Sequence, residues 1–336
     1  MDLLRTQLTK DLDRASRALR RGNRSDRHTH EIRRLLKRCR ALLRLLRKSL
    51  GEDMYRRENH RLRDAGRPLA AVRDAAVLLR ALDGLCPRLS GATMFCRHLR
   101  AALRLESRER NKQLNRQALL SSAQAIRGVA QRIRAPPGAQ ATGADLAKSV
   151  KRAYRAGRRA MAAAAEQGSR ARLHEWRKQV KYFANELGYL SPVMRKGMHK
   201  TCKKSHRLAD YLGDDHDLAL LHDKIIEYRL PGGASVDALV RRLTERRAEL
   251  QRKAHRHGRR LFCVSARRLE ARVRRRLRKT RAASRHVKPG GGLNMRMLQK
   301  SQQRTHHHAL IDPAKQSVGS RLGPDRDFLD GKPLSP

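Results

Sequence analysis

The chain has 336 residues and carries 80 Lys+Arg against 31 Asp+Glu, a formal net charge of +49. Self-repulsion of about one uncompensated cation per seven residues destabilises a compact state unless counter-anions gather, so polyanions are the natural partners: nucleic acid, inorganic polyphosphate or an anionic membrane surface. Hydrophobic residues make up 39% and aromatic residues 3%, with Leu and Ala well ahead of β-branched side chains, which favours a folded helical protein over a β-sheet one.

Residues 1–20 read as an amphipathic helix stopped by Gly22 and Asn23. A second helix is expected from about His28 to Ser49, a third over 52–65 closed by Gly66 and Pro68, and a fourth over 69–83. A long helical region, in two pieces, fills 88–134. Residues 135–143, rich in Pro, Gly and Ala, break all periodicity and read as a linker. Helices are then expected at 144–166, 171–188, 192–212 and 215–229, the last two separated at Gly213. A final helical stretch covers 236–283, with a kink at Gly258. The breaks of 1–134 return in 144–283, which points to an all-α protein made by internal duplication: a first helical bundle over 1–134 and a second over 144–283. From residue 284 to 336 the apolar period is lost and Pro and Gly accumulate, so this segment is expected to be a disordered basic tail.

Five cysteines (Cys39, Cys86, Cys96, Cys202, Cys263) are scattered, odd in number and never in a CxxC pair. That spacing argues against a disulfide framework and for a reducing compartment. No run approaches the roughly 18 apolar residues of a membrane span, and the first residues lack the apolar core of a signal peptide. The expectation is a cytoplasmic protein with no membrane partner; the oligomeric state is not legible.

The strongest signal is a pattern present twice. His30, Arg33, Arg34, Lys37 and Arg38 are matched by His174, Arg177, Lys178 and Lys181. At about 100° per residue, each set forms a stripe on one side of a helix. Ile32, Leu35, Leu36, Cys39, Leu42 and Leu43 lie opposite the first, and Trp176, Val180, Phe183 and Leu187 opposite the second. A solvated charged face is the plain explanation of one such helix; two in the same register point to anion binding. The next helices add cations at helical spacing: Arg57, His60 and Arg61 in one half, Lys200, Lys203, Lys204 and Arg207 in the other. Arg forks bind phosphate oxygens bidentately and Lys supplies a point charge. A neighbouring anion raises the pKa of histidine, so His30 and His174 would strengthen anion binding as pH falls.

The paired His-x-x-[Arg/Lys]-[Arg/Lys]-x-x-Lys helices, Arg73-Asp74 and the Gly213-Asp-Asp-His-Asp-Leu segment resemble CHAD domains, histidine-containing α-helical domains associated with inorganic polyphosphate. The resemblance covers about residues 1–283. It implies two pseudo-symmetric helical bundles enclosing a basic cavity or channel that holds polyphosphate. By position, His30, Arg33, Arg34, Lys37 and Arg38 match the first family motif, and His174, Arg177, Lys178 and Lys181 the second. The chain departs from the pattern at Tyr182 and Ala184, which stand where the first copy has Arg38 and Arg40, and at His216, where asparagine is expected. Asp74 and Asp217 are expected to cap or orient helices, since carboxylates repel phosphate.

Catalytic signals are weak. There is no Glu-x-Glu-x-Lys string and no P-loop, and the start of a zinc-protease HExxH at His174 fails at Lys178. Asp214-Asp215-His216-Asp217 reads as an N-capping cluster or a metal site, with capping favoured. His255, His257 and His306 to His308 could contact transition metals loosely, but chance in a histidine-containing basic chain, or an accessory sticky patch, is the favoured explanation. The expectation is a non-enzymatic binder of polyphosphate that needs no metal or cofactor. The alternative is a nonspecific nucleic-acid-binding protein, against which the low aromatic content counts because few side chains can stack on bases.

Overall fold

The computed structural model describes residues 2–285 apart from 24, 87–92, 135–140, 191–193, 195 and 230–232. The tail expected over 284–336 lies, beyond Arg285, outside the described residues, as does most of the 135–143 linker. Every regular element among the described residues is a helix.

α1 (Asp2–Arg20) buries Leu4, Leu8, Leu12, Ala15 and Leu19, a period of three to four that sets one continuous stripe against the core. Its partner is α7 (Arg116–Arg134), to which it is tied by Ser16 Oγ donating to the Ala123 carbonyl at 2.9 Å and Arg5 Nε to the Ile133 carbonyl at 2.6 Å. α2 (Asp26–Leu45) starts at Ser25, whose hydroxyl accepts from His28 N. It packs on α1, α8 (Gly143–Glu166), α9 (Arg170–Leu190), α4 (Glu52–Ala65) and α5 (Pro68–Leu85). That central position explains why seven of its apolar residues, Ile32, Leu35, Leu36, Cys39, Leu42, Leu43 and Leu45, are buried; each fully buried leucine contributes about 1.5–3 kcal/mol. The short α3 (Arg47–Leu50) turns into α4 at Gly51, whose φ of 80° lies in the left-handed region open to glycine.

Pro68 sits at the first turn of α5, where its missing N–H costs nothing. α5 pairs with α6 (Thr93–Gln113), and α8 begins with a capping box between Thr142 and Asp145. A large core runs from Leu4 to Leu277 and includes Trp176, Tyr154 and Phe183. A second core joins Leu78, Leu82, Phe95 and Leu99 to Leu221, Leu239 and Leu243. Both cores draw side chains from either side of residues 135–143, and residues 1–287 form one compact unit.

Four expectations are corrected. First, the helices expected at 192–212 and 215–229 are one, α10 (Lys196–Tyr228). Gly213 is helical within it, and a Cβ there would stand in ordinary contact, 4.0 Å from Arg177 Nε, so this glycine neither ends the helix nor is required by a close approach. Second, the run Asp214 to Asp217 therefore lies in mid-helix, far from any N-terminus it could cap. Third, the last region divides at Phe262–Ser265 into α11 (Ala234–Leu261) and α12 (Ala266–Arg285), with no kink at Gly258. Gly258 is a packing position, since a Cβ would come within 2.6 Å of Met161 Sδ and 2.8 Å of Trp176 Cζ2. Fourth, Cys86 and Cys96 form a disulfide, Cα to Cα 6.4 Å. The antiparallel α5–α6 pair returns the chain to its starting point after 10 residues, which irregular cysteine spacing does not reveal. The pairing removes the cysteine-based argument for a reducing compartment. Cys39 is buried, as its place on the apolar side of α2 requires.

Candidate anion-binding site

α2 and α9 meet face to face. The Arg44 guanidinium lies 3.8 Å from the centroid of the Tyr182 ring, and that of Arg38 lies 5.2 Å from the Tyr189 ring. Tyr182, a departure from the family pattern, supplies a π face for a cation of the opposite helix. Arg44 also stands 3.8 Å from Glu186, which is fully buried and accepts from Ser149 Oγ at 3.4 Å. Burial pushes the Glu186 carboxyl up to about 8, with Arg44 opposing incompletely.

Beyond this crossing the two stripes converge. Lys181 of α9 feels both Arg177 and Lys37 of α2, and Asp74 of α5 acts on Arg33 and Arg177 together. α10 completes the group: Asp217 stands 3.9 Å from Arg177, and Asp210 and Asp214 follow on the same face at helical spacing. Four cations from two helices therefore share one region with four carboxylates from two others.

The cations are held closer together than their charges favour. Burial, then Arg177 and Lys37, lowers Lys181 to about 7. Burial also lowers Arg33 and Arg177, partly offset by Asp74 for the first and by Asp217, Asp74 and Asp214 for the second. Burial followed by Asp210 and Asp217 raises Asp214 to about 6. Lys37 and Asp214 nevertheless expose much of their surface, so water and solutes reach them. A desolvated lysine below its normal pKa, beside two partly buried arginines and the solvent-exposed Lys37, is a place where a bound anion relieves repulsion.

The histidines differ. His174 and His216 face each other with ring centroids 4.9 Å apart, beside Arg177. Burial, then Arg177 and Lys178, lowers His174; burial, then Arg177 and His174, lowers His216 to about 4. His30 is half-buried on α2. Among the described residues no group of three or more His, Cys, Asp or Glu side chains is placed to hold a metal ion.

Not every residue of the expected site joins this cluster. Arg38 turns toward α1, 3.9 Å from Asp11, which also accepts from the Tyr189 hydroxyl at 3.0 Å. Arg34 acts on His206 of α10, whose pKa falls through burial and then through that charge. Lys178 pairs with Glu175 on its own helix. Arg57 and Arg61 border a separate depression on α4 with Arg47, Tyr55 and His60, and Arg61 is tied to the buried Glu58 at 2.7 Å. Lys200, Lys203, Lys204 and Arg207 are exposed on the first half of α10, the last two beside His257 of α11. Arg73 lies on α5, but its side chain falls outside the described residues. Sequence reasoning missed Asp210, His206 and Glu186; only their helical register relative to Asp214, Asp217 and Tyr182 could have pointed to them.

The model of the CHAD-domain family matches residues 4–225, and the chain belongs to that family. The matched span ends within α10. A crystal structure of the CHAD domain from the plant Ricinus communis is similar at 14% identity and a TM-score of 0.49, over 80% of this chain and 89% of that one. No curated protein matches the chain. Among the described residues no helix is long and apolar enough to cross a membrane.

Proposed function

We propose that the chain binds linear inorganic polyphosphate, with Arg33, Lys37, Arg177 and Lys181 gripping successive phosphates, and that it does so without catalysing a reaction. The observation that carries this reading is the convergence of the α2 and α9 stripes on one solvent-reached, cation-crowded region in which Lys181 is lowered to about 7. The guanidinium forks suit phosphate oxygens, and membership of the CHAD-domain family supports the same ligand. In this reading α2 and α9 are two copies of one ancestral unit, and the halves 1–134 and 144–283 flank a basic channel. Arg34 and His206 extend the grip to one side, and Lys200, Lys203, Lys204 and Arg207 carry a longer polymer along α10. The protein would then reside with cytoplasmic polyphosphate granules.

A binding series across chain lengths tests the proposal. Affinity should climb steeply from triphosphate to chains long enough to span α2, α9 and α10, because each added contact is intramolecular. The log–log salt slope should steepen by roughly 0.7 per phosphate engaged. Equal affinity for short and long chains would contradict it.

A further inference from the structure

α12 lies beyond the span matched by the family and carries charge of a different design. Seven of the twelve residues from 267 to 278 are arginine and one, Glu270, is acidic. Ala266, Leu269, Val273 and Leu277 are buried against α8, the helix that α12 packs on most. Glu270 is turned toward α8, where Lys151 Nζ meets it at 2.5 Å. Arg267, Arg268, Arg274, Arg275 and Arg278 are exposed.

At 100° per residue the five exposed arginines span an arc of roughly 120° opposite the buried stripe, which the half-buried Arg272 and Arg276 extend to about 200°. A single phosphate chain lying along a helix is served by one row of cations. An arc this wide directs guanidinium groups to both sides, as required between two walls of phosphate. The B-DNA major groove, about 12 Å wide, admits one α-helix between such walls. The A-form RNA major groove is deep and narrow and does not. No aromatic residue lies between 267 and 278, so nothing on this face stacks on unpaired bases.

We infer that the exposed arginine face of α12 is a docking surface for double-stranded DNA, separate from the α2–α9 site and read through the phosphate backbone without sequence preference. Anisotropy titration of a labelled duplex of about 20 base pairs with the full chain tests this. The quadruple variant R267Q/R274Q/R275Q/R278Q should lose at least tenfold in affinity near physiological salt, and its salt slope should fall by about 3 to 4. A control of equal charge change on exposed positions of α11, R241Q/R252Q/R256Q/R259Q, should lose less than threefold. The α12 variant should keep its affinity for long-chain polyphosphate and for an RNA duplex of the same length, and its thermal melt should match the parent. Unchanged DNA binding, an equal loss in the α11 control, or a parallel loss for polyphosphate or duplex RNA would overturn the assignment. Because polyphosphate binding is read separately, failure here leaves the α2–α9 proposal standing or falling on its own.

Discussion

The Arg177 guanidinium stands 3.9 Å from the Asp217 carboxylate, joining α9 to α10 at the place where the two cationic stripes converge. Asp74 and Asp214 act on the same guanidinium. Carboxylates thus hold Arg177 in an orientation that phosphate oxygens can take over. Binding becomes an exchange of one set of anionic partners for another, and the protons and charges in that exchange are measurable.

Proton uptake on binding follows first. Lys181 has its pKa lowered to about 7, against an ordinary value near 10.4. A phosphate beside it restores the higher value, so between these pH limits binding must take up a proton. Calorimetry at pH 8.5 in buffers of different ionisation enthalpy should show uptake approaching one proton per chain. Lys181→Met should abolish most of it. Affinity should rise as pH falls from 9 to 7, and Asp214, raised to about 6, extends the rise as it gains its own proton.

Neutralising that carboxylate directly should favour the anion. Asp214 is crowded by Asp210 and Asp217 and desolvated, so its charge costs energy in the fold and repels phosphate. Asp214→Asn should bind long-chain polyphosphate several-fold more tightly at pH 8 and melt at a higher temperature. Weaker binding by a folded variant would mean that Asp214 positions a cation instead of opposing the anion.

Glu186 gives a pH signature of stability. Its buried carboxyl titrates near 8, above the unfolded value near 4.3. The folded state therefore holds the proton more tightly, and this contribution is fully present below about pH 4 and lost as pH rises toward 8. Glu186→Gln has no such proton to lose. The stability of the parent relative to the variant should decline with pH across 5 to 7 by at most about 1.4 kcal/mol per pH unit, as read from paired denaturant melts. A constant difference would place a charged Glu186 in the core.

Gly258 is required by packing. A methyl group at this position meets Met161 Sδ at 2.6 Å and the Trp176 ring at 2.8 Å, neither at the free end of an exposed chain. Despite the better helix propensity of alanine, Gly258→Ala should destabilise by about 1–3 kcal/mol in chemical denaturation. A stabilised variant would show that Trp176 has room to shift.

The helical class and most helix limits were legible because the apolar period of each segment is strong; the sequence period puts the third helix at 52–65, the limits of α4. Glycine misled where it serves packing. Gly213 and Gly258 look like breaks in one dimension, but both lie within helices, and Gly258 makes room for Met161 and Trp176. Charge stripes were legible as stripes, yet register alone could not say which cations meet a carboxylate. Arg38 and Arg44 share a helix with Arg33 and Lys37 but are engaged by Asp11 and Glu186. Those partners lie far away in sequence, as does Asp74 relative to Arg177, and only the packing of α1, α2, α5 and α9 brings them together. The Cys86–Cys96 pair is close in sequence, 10 residues apart, and was hidden because cysteine spacing does not reveal that α5 and α6 pair.

The central claim, that the α2 and α9 stripes form one grip, is tested most directly by reversing charge on each helix separately and on both together. Retention on long-chain polyphosphate should fall sharply for R33E/K37E and for R177E/K181E. In the combined variant it should fall by less than the product of the two losses, because both pairs hold the same segment of polymer, while helical circular dichroism is unchanged. Normal retention by the folded combined variant, or losses that simply multiply, would contradict a shared site.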